Sequence, residues 1–128
     1  MNITFPTSSD IYLEADGRKI AAVQSYRAVS EKSGKVIRAF GESAPVAVIS
    51  SELCHKLELT RLYATDDAIS DGIDFHTLED FSIVIVKPDR RIVYTGCRWN
   101  GIEENGNLGD TVAEKVRVIA AKRLEMAP

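Results

Sequence analysis

The stretch that most constrains the fold is Phe81–Trp99, in which two runs of β-branched and aromatic residues flank a polar break. The break is Lys87–Arg90, where Pro88 presets a turn and has no N–H to donate to a strand ladder. Two such runs around a short turn predict a β-hairpin. In the first run both alternating sets of residues are apolar, which is typical of a strand covered on both faces. We therefore expect this hairpin in the middle of a sheet.

The composition is that of one folded domain, which we expect to span residues 1–128, with 45% hydrophobic and 27% charged residues. The net charge of −3 disfavours a protein that holds nucleic acid by neutralising phosphates. The N-terminus lacks the charged and apolar regions of a secretion signal, and no apolar run approaches the roughly 20 residues of a membrane-spanning helix. We expect a soluble protein with no membrane partner.

A second hairpin is predicted at Asp16-Gly17, because a two-residue Asp-Gly turn needs the positive φ that glycine adopts freely. A polar turn is expected at Glu31–Lys35. These and the other turn signals predict the strands of the first half of the chain, at residues 11–15, 18–30, 36–40, 44–53 and 57–63.

The remaining segments complete the predicted fold class. An Asp-rich stretch predicts one short helix, capped by Thr65 or Asp66 and continuing through Ile69. Asn100–Asp110 is a Gly/Asn-rich loop. Val112–Met126 fits a strand by its alternation and a helix by its composition, and we favour the strand. The sequence therefore predicts a mainly β protein with one short helix, a small β-barrel or sandwich with an extended hairpin.

Four residues belong to metal-binding types but lack the spacing of a metal site. Cys54, His55, His76 and Cys97 contain no CxxC or HxxxH pattern, and neighbours on a strand point to opposite faces. We interpret the first two as a buried cysteine beside an exposed histidine. A disulfide between Cys54 and Cys97 is disfavoured, because the chain shows no secretion signal.

Two acidic features contain the residue types of a calcium site or of an acid–base pair. The run Asp66–Asp74 lacks the alternating oxygen ligands and terminal Glu of a calcium loop, so a solvated loop is favoured. His76 with Asp74 or Asp80 could form the acid–base pair of a small hydrolase, but no nucleophile accompanies them, and a surface histidine is favoured. We expect no catalytic, cofactor-binding or metal-binding residue, and no enzymatic activity.

The central hairpin carries a basic tip and ends in a tryptophan. Lys87, Arg90 and Arg91 form the tip, with Arg98 further along. Solubilising charge, or pairing with an acidic loop of a neighbouring chain, is favoured over a phosphate contact. For Trp99 we favour packing in the core over stacking on a base.

The order of these elements resembles the tail-tube protein family of contractile bacteriophages, phage-tail-like bacteriocins and related injection systems. The residues that carry the resemblance span nearly the whole chain: Ile11–Val23 around Asp16-Gly17, Tyr26–Val36, Phe81–Val86 and Val112–Leu124. The resemblance implies homohexameric rings that stack into a hollow tube, in which each strand edge is paired by the next copy. The protein would be a structural component of a virion tail or phage-tail-like particle, assembled in the bacterial host cytoplasm.

The resemblance also implies partners. These are further copies of the chain, a sheath protein, baseplate or tail-terminator proteins, and DNA or a tape-measure protein that passes through the lumen without tight binding. The strands expected to line the lumen are 35–40 and 44–53. Six copies at −3 each would carry −18 per ring, so phosphates would meet no row of cations. Residues 41–45 depart from the longer, Gly-rich excursion often found in the family. An initiator or terminator ring is therefore one alternative, and a non-enzymatic β-barrel binding module is another.

Overall fold

A computed structural model of the protein describes residues 3–65 and 71–128, and of residues 50–52 it describes the backbone alone. The described part forms eight strands and two single-turn 3-10 helices, at Ser8–Asp10 and Phe75–Thr77. The strands are β1 (Tyr12–Ala15), β2 (Arg18–Lys19), β3 (Val23–Ile37), β4 (Ala47–Leu62), β5 (Phe81–Val86), β6 (Arg91–Asn105), β7 (Ala113–Ala120) and β8 (Lys122–Met126). The mainly β class is confirmed. The described residues include no helix with the length and apolar character to cross a membrane.

The strands form one antiparallel sheet that is bent into two halves and is not closed into a barrel. Half A contains β2, β1, β5, residues 91–97 of β6, and β8, in that order of pairing. Half B contains residues 98–105 of β6, then β7, β4 and β3. The long strand β6 therefore belongs to both halves.

The bend in β6 lies at Gly96, which has φ +63°. Opposite it, Ala121 separates β7 from β8 and donates its backbone N–H to the Thr95 carbonyl at 3.0 Å. A Cβ on Gly96 would lie 2.8 Å from the Ala121 Cβ, closer than two such atoms can approach. Glycine is thus required here both by the backbone angle and by the close approach.

The core fills the space between the two halves. Every second residue of β5 is buried, and the buried set of β7 alternates in the same way. The largest fully buried side chains are Phe75, Phe81, Leu59, Ile83, Ile85, Ile92, Val116 and Val118. Full burial of each such side chain contributes about 1.5–3 kcal/mol. The strand β5 lies between β1 and β6, as predicted for the central hairpin, although its second face is only half-buried.

Of three predicted turns, two are confirmed and the third is part of a strand. Asp16 and Gly17 take φ of 49° and 82°, as the Asp-Gly hairpin requires, and the Lys87 N–H donates to the Arg90 carbonyl at 2.9 Å. The turn predicted at Glu31–Lys35 is wrong, because β3 continues through it paired with β4, and a register shift between Lys32 and Gly34 absorbs the irregularity.

Other predicted bounds change accordingly. The chain reverses at residues 38–46, and the strands expected at 44–53 and 57–63 are one strand, β4. The strand expected at 18–30 is interrupted after β2, where Ala22 takes a positive φ of 55°. The loop expected at 100–110 begins later, because β6 continues to Asn105.

The C-terminal segment confirms the favoured alternative. Val112–Met126 forms β7 and β8 rather than a helix, since its alternating apolar residues pair with β4 and β6. The short helix predicted through Ile69 falls on residues 66–70 and lies outside the described part of the chain.

Candidate assembly surface

A two-stranded extension of β3 and β4 projects from half B. The strand β7 pairs with β4 only from His55 onward, so residues 47–54 of β4 pair with β3 alone in the described structure. We call residues 31–54 the projecting hairpin. A hairpin of two strands is marginally stable in water by itself.

Exposed apolar side chains cover both faces of the projecting hairpin. Val48 and Ile49 are 67% and 56% exposed, and as neighbours on a strand they point to opposite faces. The other large apolar side chains exposed on it are Val36, Phe40, Val46 and Leu53. Six exposed apolar side chains on one hairpin are typical of an interaction surface.

Half B ends in two open edges on opposite sides, β3 at one and residues 98–105 of β6 at the other. Neither edge pairs with a further strand among the residues that the structure describes. The start of the β6 edge is flanked by the 3-10 helix at Phe75–Thr77, where the rings of His76 and Trp99 lie edge to face, 5.9 Å apart. An open edge presents main-chain donors and acceptors to another strand.

The outward side of half B is charged. Its centre is a row across three strands in which Arg27 of β3, Glu58 of β4 and Arg117 of β7 lie opposite one another. Glu58 accepts from Lys115 at 3.0 Å and lies 3.6 Å from Arg117. The hydrogen bond from Lys115 lowers the pKa of Glu58, against partial desolvation, and the charges of Lys115, Arg117 and Arg27 add to that lowering.

The opposite, inward side of half B holds a partly buried ionic cluster around Arg61. Its guanidinium donates to Asp71 at 3.1 Å, to Glu114 at 3.1 Å and to the Ile73 carbonyl at 2.7 Å. The guanidinium carbon also lies 4.8 Å from the centroid of the Phe75 ring. This cluster holds the segment after residue 70 against β4 and β7.

Asp71 connects that cluster to the start of β3. Its carboxylate accepts the backbone N–H of Ala21 and of Ile73, each at 2.8 Å. Its side chain is only 9% exposed, so the prediction of a solvated acidic loop is wrong at Asp71. Alternation in β4 places Arg61 on the same face as Leu57 and Leu59, but it does not identify the partners of Arg61.

The structure reverses the interpretation of Cys54 and His55. His55 is 5% exposed, with Nδ1 2.7 Å from the Ser30 Oγ and its ring edge-on to Tyr94. Cys54 is half-buried and lies on the outward side. Side chains alternate along β4, so His55 shares the inward face with the buried Leu57 and Leu59, and Cys54 lies on the other face.

Of the other flagged residues, His76 and Trp99 contact each other. His76 is exposed, as predicted, and its Nδ1 lies 3.3 Å from the Asp74 carboxylate. Trp99 is 37% exposed beside the open edge of β6, so its predicted packing in the core is wrong. At the basic tip, Arg90 pairs with Asp89 at 3.1 Å and with Glu125 at 3.5 Å.

The two cysteines are free, as the sequence analysis favoured. Cys97 is fully buried, and desolvation raises the pKa of its thiol from the ordinary 9.0 to about 11. A thiol that is covered and neutral is inert.

At pH 8 a maleimide should therefore modify Cys54 and leave Cys97 unmodified, and both should react in denaturant. Mass spectrometry of the native chain and of Cys54→Ser checks this, and rapid native labelling of Cys54→Ser would contradict it.

The sequence matches no family model and no curated protein sequence. Solved structures match over nearly the whole chain. A chain of the virion of a native gene transfer agent particle has a TM-score of 0.67 at 10% identity, covering 97% of this chain and 99% of that one. A chain of the PVC sheath–tube complex, from an extracellular contractile injection system, has a TM-score of 0.65 at 10% identity, with 98% and 95% covered. The SPP1 tail tube has a TM-score of 0.65 at 13% identity, with 95% and 79% covered.

These similarities identify the fold. The bent sheet with its projecting hairpin is the fold of tail-tube proteins, as the resemblance in the sequence indicated. The anti-feeding prophage cap that terminates its tube shares the fold, with a TM-score of 0.65 at 6% identity and 100% and 95% of the two chains covered.

Proposed function

We propose that this protein is a structural subunit of the inner tube of a contractile tail or injection system. It has no enzymatic role in this proposal. Homohexameric rings of the chain stack into a hollow tube that conducts DNA or other cargo after the sheath contracts. The observation that carries the proposal is the pair of open edges on opposite sides of half B.

Two different edges on one sheet favour head-to-tail pairing, in which β3 of one copy pairs with β6 of the next. Such a heterologous contact forms a ring when its rotation closes. Half B supplies four strands, so six copies would form a barrel of 24 strands. The number six is supported by the C6 symmetry of the gene transfer agent tail and by the sixfold symmetry of the anti-feeding prophage baseplate.

This arrangement places the lining on the body of half B, whereas the sequence analysis expected it at residues 35–40 and 44–53. In the ring the charged side of half B faces the lumen, and the projecting hairpin extends past the body toward the next ring. The apolar side chains on both of its faces, such as Val48 and Ile49, would then be covered by other copies. Covering them removes apolar surface from water, which drives association.

The position of the ring along the tube has a second candidate. A terminating cap and a tube terminator share the fold with TM-scores of 0.65, as a chain of a baseplate does with 0.61. A terminator or initiator ring would use the same edges around the ring and meet a different partner on one flat side. Sheath, baseplate and terminator proteins are the partners we propose, in a virion tail or phage-tail-like particle assembled in the host cytoplasm.

Val48→Glu tests the proposal. Val48 is 67% exposed, so a charge there leaves the isolated chain folded, whereas burying that charge between copies without a partner is costly. We expect the wild-type chain to form rings or tubes with a central hole in negative-stain micrographs, and Val48→Glu to remain small by light scattering. Ser43→Glu, which adds the same charge at an exposed polar position of the same hairpin, should still assemble.

Two results would contradict the proposal. One is a wild-type chain that stays monomeric at every concentration, which would favour a binding module with a single sheet. The other is normal assembly by Val48→Glu, which would show that the projecting hairpin is not a contact between copies.

A further inference from the structure

Glu58 lies at the centre of a set of cations on the outward side of half B. Arg27 and Arg117 are its direct cross-strand neighbours in β3 and β7. Lys56 precedes it by two residues on the same face of β4, and Lys115 is diagonal to it on β7. Glu58 and three of these cations, Arg27, Lys56 and Arg117, line one cavity of about 280 Å³.

The contacts of Glu58 occupy the cations that an anion would otherwise meet. One carboxylate oxygen lies 3.0 Å from the Lys115 Nζ, and the other lies 3.6 Å from the Arg117 Nε. Gly101 faces Arg117 across the next strand pair, and a Cβ there would lie 3.5 Å from the Arg117 Nη1. That distance is an ordinary van der Waals contact, so the position of the guanidinium beside Glu58 does not depend on glycine.

The carboxylates at the rim are held less closely. Glu103 lies 3.5 Å from Arg117, and Glu31 lies 3.9 Å from Lys56. Among the side chains that the structure describes on this side of half B, five cations therefore face three carboxylates, a balance of +2, although the whole chain carries −3. The cations are Arg27, Lys56, Arg98, Lys115 and Arg117, and the carboxylates are Glu31, Glu58 and Glu103.

A net −3 for the chain does not make this side acidic, because the negative charge lies elsewhere on the molecule. A local carboxylate keeps these cations from binding phosphates. Glu58 lies at their centre and contacts two of them directly.

We propose that Glu58 acts as a built-in anion that keeps the outward side of half B from binding polyanions such as a nucleic acid backbone. The position of half B in the lumen wall rests on the proposed function. In that position Glu58 lets a polyanionic cargo slide along the wall instead of adhering to it. Loss of its charge converts the wall into a cationic track.

Glu58→Gln tests the inference on the purified full-length chain. Exposed ion pairs contribute about 0–1 kcal/mol to stability, so this variant should fold. Two released cations add about two phosphate contacts, so the affinity for a short fluorescent single-stranded DNA should rise at least about tenfold at moderate salt. The slope of log K against log salt should steepen by about 1.4. Fluorescence anisotropy across a salt series measures both.

The matched control is Glu125→Gln. Glu125 also pairs with two arginines, Arg90 at 3.5 Å and Arg123 at 3.1 Å, but it lies on β8 in half A. It changes the net charge by the same amount, and its affinity for the DNA should stay near that of the wild type. Adding Lys115→Gln and Arg117→Gln to Glu58→Gln removes the two released cations and should abolish most of the gain, which locates the binding to this side of half B.

The outcomes separate the inference from the proposed function. Equal DNA binding by Glu58→Gln and Glu125→Gln, or wild-type binding as tight as that of Glu58→Gln, would overturn the inference. If micrographs show rings while Glu58→Gln gains no affinity, the inference alone fails. If Glu58→Gln gains affinity in a chain that never forms rings, the inference holds for this surface and the tube role fails.

Discussion

Arg61→Leu should destabilise the folded chain by roughly 1–3 kcal/mol, because it removes the cation from a partly buried ionic cluster and leaves its carboxylates without their hydrogen-bond donor. Asp71 and Glu114 are 9% and 20% exposed in their side chains, and Arg61 itself is 12% exposed. The substitution also removes the donor to the Ile73 carbonyl. Urea unfolding followed by the fluorescence of Trp99 measures the loss as a lower midpoint with an unchanged slope.

Arg90→Leu is the matched control for that experiment. Arg90 also pairs with two carboxylates, Asp89 and Glu125, but its side chain is 47% exposed. Water replaces those contacts, so the expected loss is below about 1 kcal/mol. Equal losses for the two variants would show that the cluster around Arg61 does not hold the segment after residue 70 in place.

Gly96→Val should be the other strongly destabilising change, by roughly 2–5 kcal/mol. A residue with a Cβ costs about 1–2 kcal/mol at the φ of +63° that Gly96 adopts. The added methyl groups cost about 1–3 kcal/mol more, because the first new carbon already lies 2.8 Å from the Ala121 Cβ. The same urea titration measures the effect.

Two variants separate the backbone angle from the clash. In Gly96→Ala with Ala121→Gly the close approach disappears, so part of the loss should return while the cost of the positive φ stays. Gly101→Ala should cost about 1 kcal/mol or less, because its new Cβ meets only the flexible end of Arg117 at 3.5 Å. A Gly96→Val chain as stable as Gly101→Ala would show that the bend does not depend on glycine.

The parts of the fold that the sequence predicted are those whose signals are local. Asp16-Gly17 and Lys87–Arg90 are turns by their own backbone preferences, and both form as predicted. The Glu31–Lys35 segment has similar turn residues, yet it is strand, because β4 pairs with β3 on both sides of it. Local preference was overridden there by pairing between segments distant in sequence.

The candidate surface was partly predictable. The alternation of small, weakly polar residues predicts the strands of the projecting hairpin and the exposure of Val48. It does not predict that the chain reverses at residues 38–46. The Arg61 cluster required knowledge of the fold, because Glu114 lies 53 residues away in the chain. The burial of His55 could be predicted without the fold, since the alternation of a strand places it on the same face as the buried Leu57 and Leu59.

The continuous course of β6 through both halves of the sheet has a mechanical consequence. In the proposed tube, tension applied where neighbouring subunits join would run along the covalent backbone of β6 from half B into half A, with no linker segment between them. A tube built this way would transmit torque as a stiff shaft. Compliance would then be confined to the extensions between successive rings.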